Sequence, residues 1–275
     1  MSRFHEVVVT TENVRAMLDR ETGEVMHPVV GPLVEPPQLY IGPSRLAEQL
    51  SSPANAPLVL LDVGLGAGSN AIAARRVSEA LERPVRRLHI VSFDRTAAAL
   101  ETALQQSNAA AFDLEGEAGD AARTLIATGC HETDATTWTV VIGELPGTLA
   151  SVSCGPADVV YWDPFSPSAN PGLWTAGAFS ALRRVCGPRA TVHTYSAATA
   201  TRAALLLAGF AVGRGGPSGS KQQTTIAAVD ESDLEQPLDK RWLERLSRSS
   251  APFPEDAPPD AMLRIRRHPQ FGVGA

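Results

Sequence analysis

Lysine is nearly absent from this sequence of 275 residues. Only Lys221 and Lys240 are present, so arginine supplies almost all of the positive charge. The formal net charge is -6, which excludes a chain that binds nucleic acid simply as a polycation. Any contact with nucleic acid would have to come from a local basic surface.

Cysteine is also rare, and the three cysteines lie far apart. Cys130, Cys154 and Cys186 are odd in number and contain no CxxC pair. This pattern argues against a disulfide framework or a zinc site and favours a reducing compartment. His131 follows Cys130 directly, but no further ligand pattern accompanies this pair. We therefore expect no metal.

Long apolar runs are missing too. No uninterrupted apolar stretch reaches the length that spans a membrane. The first residues, MSRFHEVVVTTENV, carry early charges and do not resemble a secretory signal. A hydrophobic content of 44% with 20% charged residues is typical of a globular protein, which is large enough for one α/β domain with appendages. We expect a soluble cytoplasmic protein.

The middle of the chain alternates between strand and helix patterns. Apolar or β-branched runs predict strands over residues 58–64, 87–94, 137–143, 157–163, 189–196 and 223–229. Helical spacing predicts helices over residues 69–82, 96–111, 173–186 and 197–210. Strands that alternate with helices form a mostly parallel sheet with helices on both faces, a doubly wound α/β fold.

The two flanks differ from this α/β domain of residues 58–229. Residues 1–57 mix short strand-like pieces with a proline-rich passage, and we expect this N-terminal extension to pack over the ligand site. Residues 230–275 are polar and rich in proline, which predicts an irregular tail with one helix near residues 238–248.

A glycine loop follows the first predicted strand of the domain. The segment DVGLGAGSNA contains Gly64, Gly66 and Gly68, which allow tight turns and a close approach to a ligand at a helix N-terminus. A dinucleotide fingerprint would place its third glycine where Ser69 stands, and a phosphate-binding Walker loop would need a lysine. The spacing G-x-G-x-G after an aspartate is typical of class I S-adenosylmethionine (SAM) enzymes. A tight turn without a ligand remains the alternative.

Two acidic residues follow the next strands. Asp94 ends the second strand, where a carboxylate can accept hydrogen bonds from both ribose hydroxyls of SAM or of NAD. It could instead cap the following helix. Glu144, in IGELPGTL, is placed to meet an adenine amino group, or it is an ordinary acidic residue of a first helical turn.

A proline-rich loop follows the fourth strand, which ends in Asp163. Pro164, Pro167 and Pro171 stiffen the segment DPFSPSANPGLW, so holding it over a ligand costs little entropy. A carboxylate here can orient an amine and accept its proton during methyl transfer. The alternative is an aspartate that merely caps a proline turn. Aromatic side chains in the same segment could stack on a flipped base, namely Trp162, Phe165 and Trp174.

These segments together resemble a known family. The stretches LLDVGLGAGSNAIA, VSFDR, IGELPGTL, VVYWDPFSPSANPGLWT, TYSAATATRAALLLAGF and GGPSGSKQQTTIAAV are similar, in order and spacing, to the methyltransferase module of the bacterial tRNA 5-methylaminomethyl-2-thiouridine biosynthesis family. The upstream GEVMHPVVGPLVEPPQLYIGPSRL resembles the segment that precedes the family's glycine loop. The pattern from Asp163 to Trp174 is the most specific part.

The resemblance implies a Rossmann-like class I fold, SAM as cofactor and methylation of the aminomethyl group on the wobble uridine of tRNA. Asp163 would act at the transferred methyl group. The residues assigned to the cofactor are Asp62, Gly64, Leu65, Gly66, Ala67, Gly68, Asn70, Asp94, Glu144 and Leu145, and those assigned to the substrate are Pro164, Phe165, Pro167, Trp174 and Lys221. No second glycine fingerprint follows, so the chain resembles a stand-alone form whose substrate comes from a separate FAD-dependent oxidase.

Two features depart from the family pattern. Pro164 stands where the fused enzymes have a small residue, and glutamines follow Lys221 where arginine is expected. Residues 157–229 nevertheless carry six basic against two acidic residues, which favours an RNA-facing surface or reflects ordinary solvated helix faces. His27 lies in the segment expected to cover the cofactor, where it has either a site role or a structural one.

The sequence therefore predicts a SAM-dependent N-methyltransferase that acts on tRNA. Three alternatives remain. The first is an enzyme of the same fold that methylates a small-molecule amine. The second is a SAM-binding protein without catalysis. The third is a dinucleotide oxidoreductase, which Ser69 disfavours.

Overall fold

A large mixed sheet forms the centre of the protein. The computed structural model describes residues 4–27, 31–54, 56–82, 86–151, 153–217 and 222–272. The strands are β1 (His5–Val9), β2 (Arg15–Asp19), β3 (Val25–Met26), β4 (Leu58–Val63), β5 (Leu88–Asp94), β6 (Cys130–Glu132), β7 (Thr136–Ile142), β8 (Ala157–Trp162), β9 (Cys186–Thr194), β10 (Ala211–Gly215) and β11 (Thr224–Ala228). The α-helices are α1 (Leu46–Ser51), α2 (Ser69–Ala80), α3 (Ala98–Ala103), α4 (Glu117–Thr128), α5 (Ala176–Val185), α6 (Thr199–Leu207), α7 (Lys240–Leu246) and α8 (Ala261–Arg266).

The order of the strands confirms the predicted fold class. The described residues form an eight-stranded sheet with the order β10-β11-β9-β8-β4-β5-β7-β6. Strands β7, β5, β4, β8 and β9 run parallel to their neighbours in this series, whereas β6, β10 and β11 pair antiparallel at the two sides. The strand order reverses beside β4, and open α/β sheets bind their ligands at such a switch point.

Strand β4 shows why both faces of the sheet are covered. Every residue of this strand is buried. Leu58 and Leu60 belong to one apolar core, beneath α2 and α3, whereas Val59 and Leu61 belong to the other, beneath α5 and α6. Successive side chains of a strand point to opposite faces, so a continuous aliphatic run is what a doubly covered strand needs.

Several predicted elements differ from the structure. The helix expected over residues 96–111 ends at Ala103, because the Asn108 side chain donates to the Thr102 carbonyl oxygen (2.9 Å) and the chain turns. Helix α4 and strand β10 were not predicted. The glycines of β10 (Gly213 and Gly215) obscure its strand pattern, and pairing with β11 forms it.

The C-terminal segment is more regular than the expected polar tail. Helices α7 and α8 bring Trp242, Leu246 and Ile265 into the core beside α5 and α6, together with Phe271. Polar and proline-rich stretches separate these apolar residues, so the average composition of residues 230–275 does not predict their packing in the core.

The N-terminal residues form a separate three-stranded antiparallel sheet, β1-β2-β3, which packs on α3. Met17, Tyr40, Leu46 and Leu50 enter the core beneath α2. Both flanks thus contribute side chains to the cores of the central sheet. The division into an N-terminal extension (1–57), a central domain (58–229) and a C-terminal tail (230–275) stays a prediction. No helix in the described ranges is both long and apolar enough to cross a membrane.

Candidate functional site

The glycine loop between β4 and α2 forms the floor of the site. Gly64 has a φ of +100°, and a Cβ atom there would lie 2.6 Å from the carbonyl oxygen of Asp163. Gly66 has a φ of +50°, with the Met26 sulfur of β3 only 3.0 Å from the place of its missing Cβ. These close approaches explain why glycine is required at both positions. Gly68 precedes the first residue of α2, so the free N–H groups of the helix face the loop.

A cavity of about 850 Å³ opens above this loop. It lies at the carboxyl ends of β4, β5 and β8, and the N-terminal sheet closes one side. Among the described residues, seven carboxylates line it: Asp19, Glu21, Glu24, Glu35, Asp94, Glu144 and Asp163. Its basic lining residues are Arg95, His5 and His27. The lining is strongly acidic, which favours cationic ligands.

Asp94 fixes the glycine loop from the end of β5. The Asp94 carboxylate accepts hydrogen bonds from the backbone N–H of Gly66 (3.0 Å) and of Arg95 (2.7 Å), and its burial raises its pKa. Helix α3 begins at Ala98 with Ala97 at the cap position, so Asp94 is not the helix cap that the alternative required.

Asp62 is completely buried beneath the loop. Its Oδ2 atom accepts a hydrogen bond from the Ser92 hydroxyl (2.7 Å), whereas Oδ1 makes none within the described residues. Burial, with the charges of Asp163 and Asp94, raises the pKa of Asp62 to about 7. The Trp138 indole N–H donates to the Ser92 oxygen (2.9 Å) and so fixes the hydroxyl toward Asp62.

Asp163 lies directly across the cavity floor from the start of α2. The Asn70 side-chain amide donates to its Oδ2 atom (2.8 Å). Burial raises the pKa of Asp163, the charge of His27 opposes this shift, and the charge of Glu35 adds to it. The carboxylate therefore faces the cavity beside the glycine loop and does not cap a proline turn. A basic carboxylate in this position can accept a proton.

The proline loop after β8 is held by three side chains from different parts of the chain. The Tyr195 hydroxyl donates to the carbonyl oxygen of Pro164 (3.0 Å), and the Trp174 indole N–H donates to that of Phe165 (2.8 Å). Glu24 accepts hydrogen bonds from both the backbone N–H (2.9 Å) and the hydroxyl of Ser166. The N-terminal sheet thus holds the loop over the cavity.

The structure brings many of the sequence-predicted site residues into one cavity wall. Those that line it are Gly64, Leu65, Gly66, Asn70, Asp94, Glu144, Leu145, Asp163, Pro164 and Phe165. Asp62, Ala67 and Gly68 are buried and do not line it, and Pro167 is exposed outside the lining. Lys221 lies outside the described residues.

Two aromatic residues expected to stack on a base are not available for it. Trp162 is fully buried and packs on Phe179, with 5.0 Å between ring centroids. Trp174 is 4% exposed, and its ring meets that of Tyr195 edge to face behind the loop. Only Phe165 of the three lines the cavity, because the loop folds the two tryptophans inward.

Sequence reasoning missed the acidic residues that the N-terminal segment contributes. Glu24 and Glu35 line the cavity although they lie more than a hundred residues before Asp163. Tyr195, from the loop after β9, was missed as well. The available signal was the resemblance of the proline-rich segment around residues 23–46 to the family's N-terminal stretch.

The basic residues expected to form an RNA-facing surface do not gather at the cavity. Arg183 and Arg184 end α5, at the sheet edge opposite the cavity. Arg189 pairs with Asp230 and Asp233, Arg214 pairs with Asp239, and Arg202 is buried against Thr224 and Thr225. None of these five arginines lines the cavity, and the RNA-facing surface stays a prediction, since a count along the chain does not say which edge of the sheet a residue occupies.

The chain is similar to proteins of known class over most of its length. Residues 121–230 match a family model described as an S-adenosyl-L-methionine-dependent methyltransferase. The tRNA 5-methylaminomethyl-2-thiouridine biosynthesis bifunctional protein MnmC of Ralstonia nicotianae is 31% identical over 210 residues, which are 74% of this chain and 32% of that protein. Its counterpart from Cupriavidus metallidurans is 29% identical over 216 residues, 74% of this chain and 31% of that protein.

Over this stretch the chain resembles the methyltransferase module of the MnmC proteins. It spans about a third of the length of the curated relatives that it matches. The crystal structure of MnmC2 from Aquifex aeolicus superposes with a TM-score of 0.72 at 23% identity, covering 96% of this chain and 85% of that one, and thereby shows the same fold. The protein therefore has a Rossmann-like class I fold, and residues 121–230 match the model of a SAM-dependent methyltransferase family.

The cavity fits SAM as the cofactor. Its volume is in the range of small-molecule sites, and glycine at positions 64 and 66 lets the backbone of Asp163 and the side chain of Met26 approach the loop that lines it. Asp94 at the end of β5 and the exposed Glu144 both line the cavity, and their contacts with the ribose and the adenine stay predictions. The acidic lining suits the positive charge of a sulfonium.

Proposed function

We propose that this protein is a SAM-dependent methyltransferase that acts on an amine, namely the 5-aminomethyl group of the wobble uridine in tRNA, and forms the 5-methylaminomethyl group. The observation that carries the proposal is the acidic cavity, in which the Asp163 carboxylate lies within 2.8 Å of Asn70 at the end of the glycine loop. An ammonium group is drawn to such a cavity, whereas an anionic acceptor is repelled.

Asp163 is the proposed catalytic residue. An amine arrives mostly as an ammonium ion, and one of its protons must leave before the nitrogen can form a bond. Asp163 accepts that proton, and burial supports this role because it raises the pKa of the carboxyl group. SAM supplies, when bound, a methyl group on a positively charged sulfur. The nitrogen lone pair forms the new N–C bond, the S–C electron pair stays on sulfur, and the product leaves as a secondary ammonium ion.

Other residues of the cavity position the reacting groups. Asn70 donates to Asp163 and holds the carboxylate toward the cavity. The proline loop, fixed by Tyr195, Trp174 and Glu24, supplies Phe165 and Pro164 as a rigid wall beside the acceptor. A rigid wall lowers the entropic cost of aligning the nitrogen with the methyl group.

The tRNA acceptor is proposed because relatives named for tRNA 5-methylaminomethyl-2-thiouridine biosynthesis cover most of this chain. An FAD-dependent oxidase is proposed as the source of the aminomethyl substrate, since the curated relatives are named as bifunctional. Bacterial tRNA modification would place the protein in the cytoplasm.

A small-molecule amine is the second candidate acceptor. This candidate is favoured because the arginines of residues 157–217 do not line the cavity. Arg189 and Arg214 form ion pairs, and Arg202 is buried. A free amine needs only the acidic cavity and no surface for phosphates.

The test uses methyl-labelled SAM with two tRNAs that differ only in the aminomethyl group of the wobble uridine. We expect label only in the tRNA that has the amine. Asp163→Asn should reduce the rate by roughly 100-fold or more while the protein stays folded. Asp134→Asn, an exposed aspartate in the turn between β6 and β7, serves as the matched control.

Two results would contradict the proposal. Equal labelling of both tRNAs would exclude the aminomethyl group as the acceptor. Labelling of free amines but of neither tRNA would favour the small-molecule reaction.

A further inference from the structure

Glu35 adds a second carboxylate to the acceptor side of the cavity. It precedes the π-helical turn Pro37–Ile41, and its side chain is 16% exposed. The charge of Glu35 raises the pKa of Asp163, so the two groups are electrostatic neighbours within the same cavity wall.

His27 holds one oxygen of Glu35. Its Nδ1 atom lies 3.2 Å from Oε2, and among the described residues this is the hydrogen bond of the Glu35 carboxylate. His27 has a φ of +52°, a left-handed conformation that is uncommon for histidine and is found at functional sites. Oε1 of Glu35 is thereby left for a ligand in the cavity.

His27 is the positive group among these carboxylates. Burial lowers its pKa, but Glu35, Asp163 and Asp62 together raise it, with a net upward shift. The other groups around this pair include neutral and acidic ones, namely Tyr40, Tyr195, Asn70, Glu24, Asp62 and Asp94, and the remaining basic residues in the cavity lining are Arg95 and His5. Such a cluster attracts a further cation.

We propose that Glu35 and Asp163 each accept one N–H bond of the acceptor amine, and that this pair of contacts limits the enzyme to a single methylation. The proposal rests on the amine acceptor of the proposed function. A neutral primary amine has two N–H bonds and one lone pair, so two carboxylates can hold both N–H bonds while the lone pair faces the methyl donor.

The methylated product cannot make the same contacts. After it loses its extra proton, a secondary amine has only one N–H bond, so one of the two carboxylates loses the hydrogen bond that the primary amine donated to it. A buried carboxylate oxygen without that hydrogen bond is costly, and the second transfer is therefore disfavoured. Glu35 is in this view a specificity-determining residue, and His27 is the residue that positions it.

The first experiment measures binding without turnover. Protein loaded with S-adenosylhomocysteine is titrated with 5-aminomethyluridine and with 5-hydroxymethyluridine, which lacks the amine. We expect the wild-type protein to prefer the amine and Glu35→Gln to bind it about tenfold or more weakly, because a charge-assisted hydrogen bond is lost. The affinity for the hydroxyl compound should stay the same.

The second experiment measures the product by mass spectrometry with SAM in excess. The wild-type protein should give the monomethyl product, and Glu35→Gln should add dimethyl product. His27→Ala should show a weaker form of both effects, and His27→Gln, which keeps a donor for Oε2, should restore the wild-type behaviour. Glu12→Gln, an exposed carboxylate of the N-terminal sheet outside the cavity, is the matched control.

The outcomes separate this proposal from the tRNA assignment. If the wild-type protein methylates the free nucleoside but not tRNA, the assignment to tRNA fails and Glu35 is still tested on the nucleoside. Wild-type protein without a preference for the amine would overturn the proposal. It would also be overturned if Glu35→Gln gave only monomethyl product and bound the amine with unchanged affinity. A third contrary result is that Glu35→Gln binds both nucleosides equally more weakly and has a lower melting temperature, as expected for a residue with a purely structural role.

Discussion

Replacement of Asp62 by asparagine is expected to make the ligand-free protein less sensitive to pH. Asp62 is fully buried beneath the glycine loop, and burial raises its pKa from 3.8 to about 7. The folded protein therefore binds the Asp62 proton more tightly than the unfolded chain does. The stability contributed by this proton is fully present below about pH 4 and is lost as the pH rises toward about 7.

The size of the effect follows from the shift in pKa. Each pKa unit corresponds to about 1.4 kcal/mol, so the rise from 3.8 to about 7 costs the folded state about 4 kcal/mol once Asp62 is ionised. Between about pH 5 and about pH 8, Asp62 alone should lower the free energy of unfolding by about 2.5 kcal/mol. Asp62→Asn lacks this loss and can still accept the hydrogen bond from Ser92.

Urea denaturation at a series of pH values measures the difference between the two proteins. The free energy of unfolding of the wild-type protein should fall more steeply with pH than that of Asp62→Asn, by about 2.5 kcal/mol over this range. Asp134→Asn, exposed in a turn, should follow the wild-type curve. Parallel curves for wild type and Asp62→Asn would refute the argument that burial of this carboxyl group opposes its ionisation.

Three further variants test the loop, the proposed base and the C-terminal helices. Gly64→Ala should destabilise the protein by about 3 kcal/mol or more in urea denaturation, because the new Cβ would meet the carbonyl oxygen of Asp163. Gly209 has a similar φ but no atom near the place of its missing Cβ, so Gly209→Ala should cost only about 1–2 kcal/mol. Asn70→Ala removes a hydrogen-bond donor to the carboxylate of Asp163, and this loss raises the pKa of Asp163 further. The acid limb of the pH–rate profile should therefore move upward by about one pH unit. An acid limb that does not move would exclude Asp163 as the titrating group. Trp242→Ala should lower the free energy of unfolding by roughly 3–5 kcal/mol and lower the melting temperature. A loss as small as that of an exposed residue would show that α7 does not belong to the core.

The central sheet was predictable because its signals are local. The aliphatic run of β4, the glycines after it and the aspartate that ends β8 each occupy a few consecutive residues, and parallel strands bring their carboxyl ends to one edge. Helix α4 and strand β10 were not predicted, because their sequences carry weak patterns and their neighbours decide their structure.

The candidate site was predictable on one side only. Gly64, Asp94 and Asp163 come from the ends of parallel strands, so topology alone brings them together. Glu24 and Glu35 reach the same cavity from the N-terminal segment, and no sequence spacing relates them to Asp163.

By itself the sequence determined the fold class, the glycine loop and the aspartate that follows β8, since hydrophobic period and glycine placement act over short distances. Only the tertiary structure decided which charges share a space. It turned Trp162 and Trp174 away from the cavity, kept the arginines of residues 183–214 out of the cavity lining and closed the site with acidic side chains of the N-terminal segment. Those outcomes depend on contacts between distant segments, whose energies appear only when the packed chain excludes water between them.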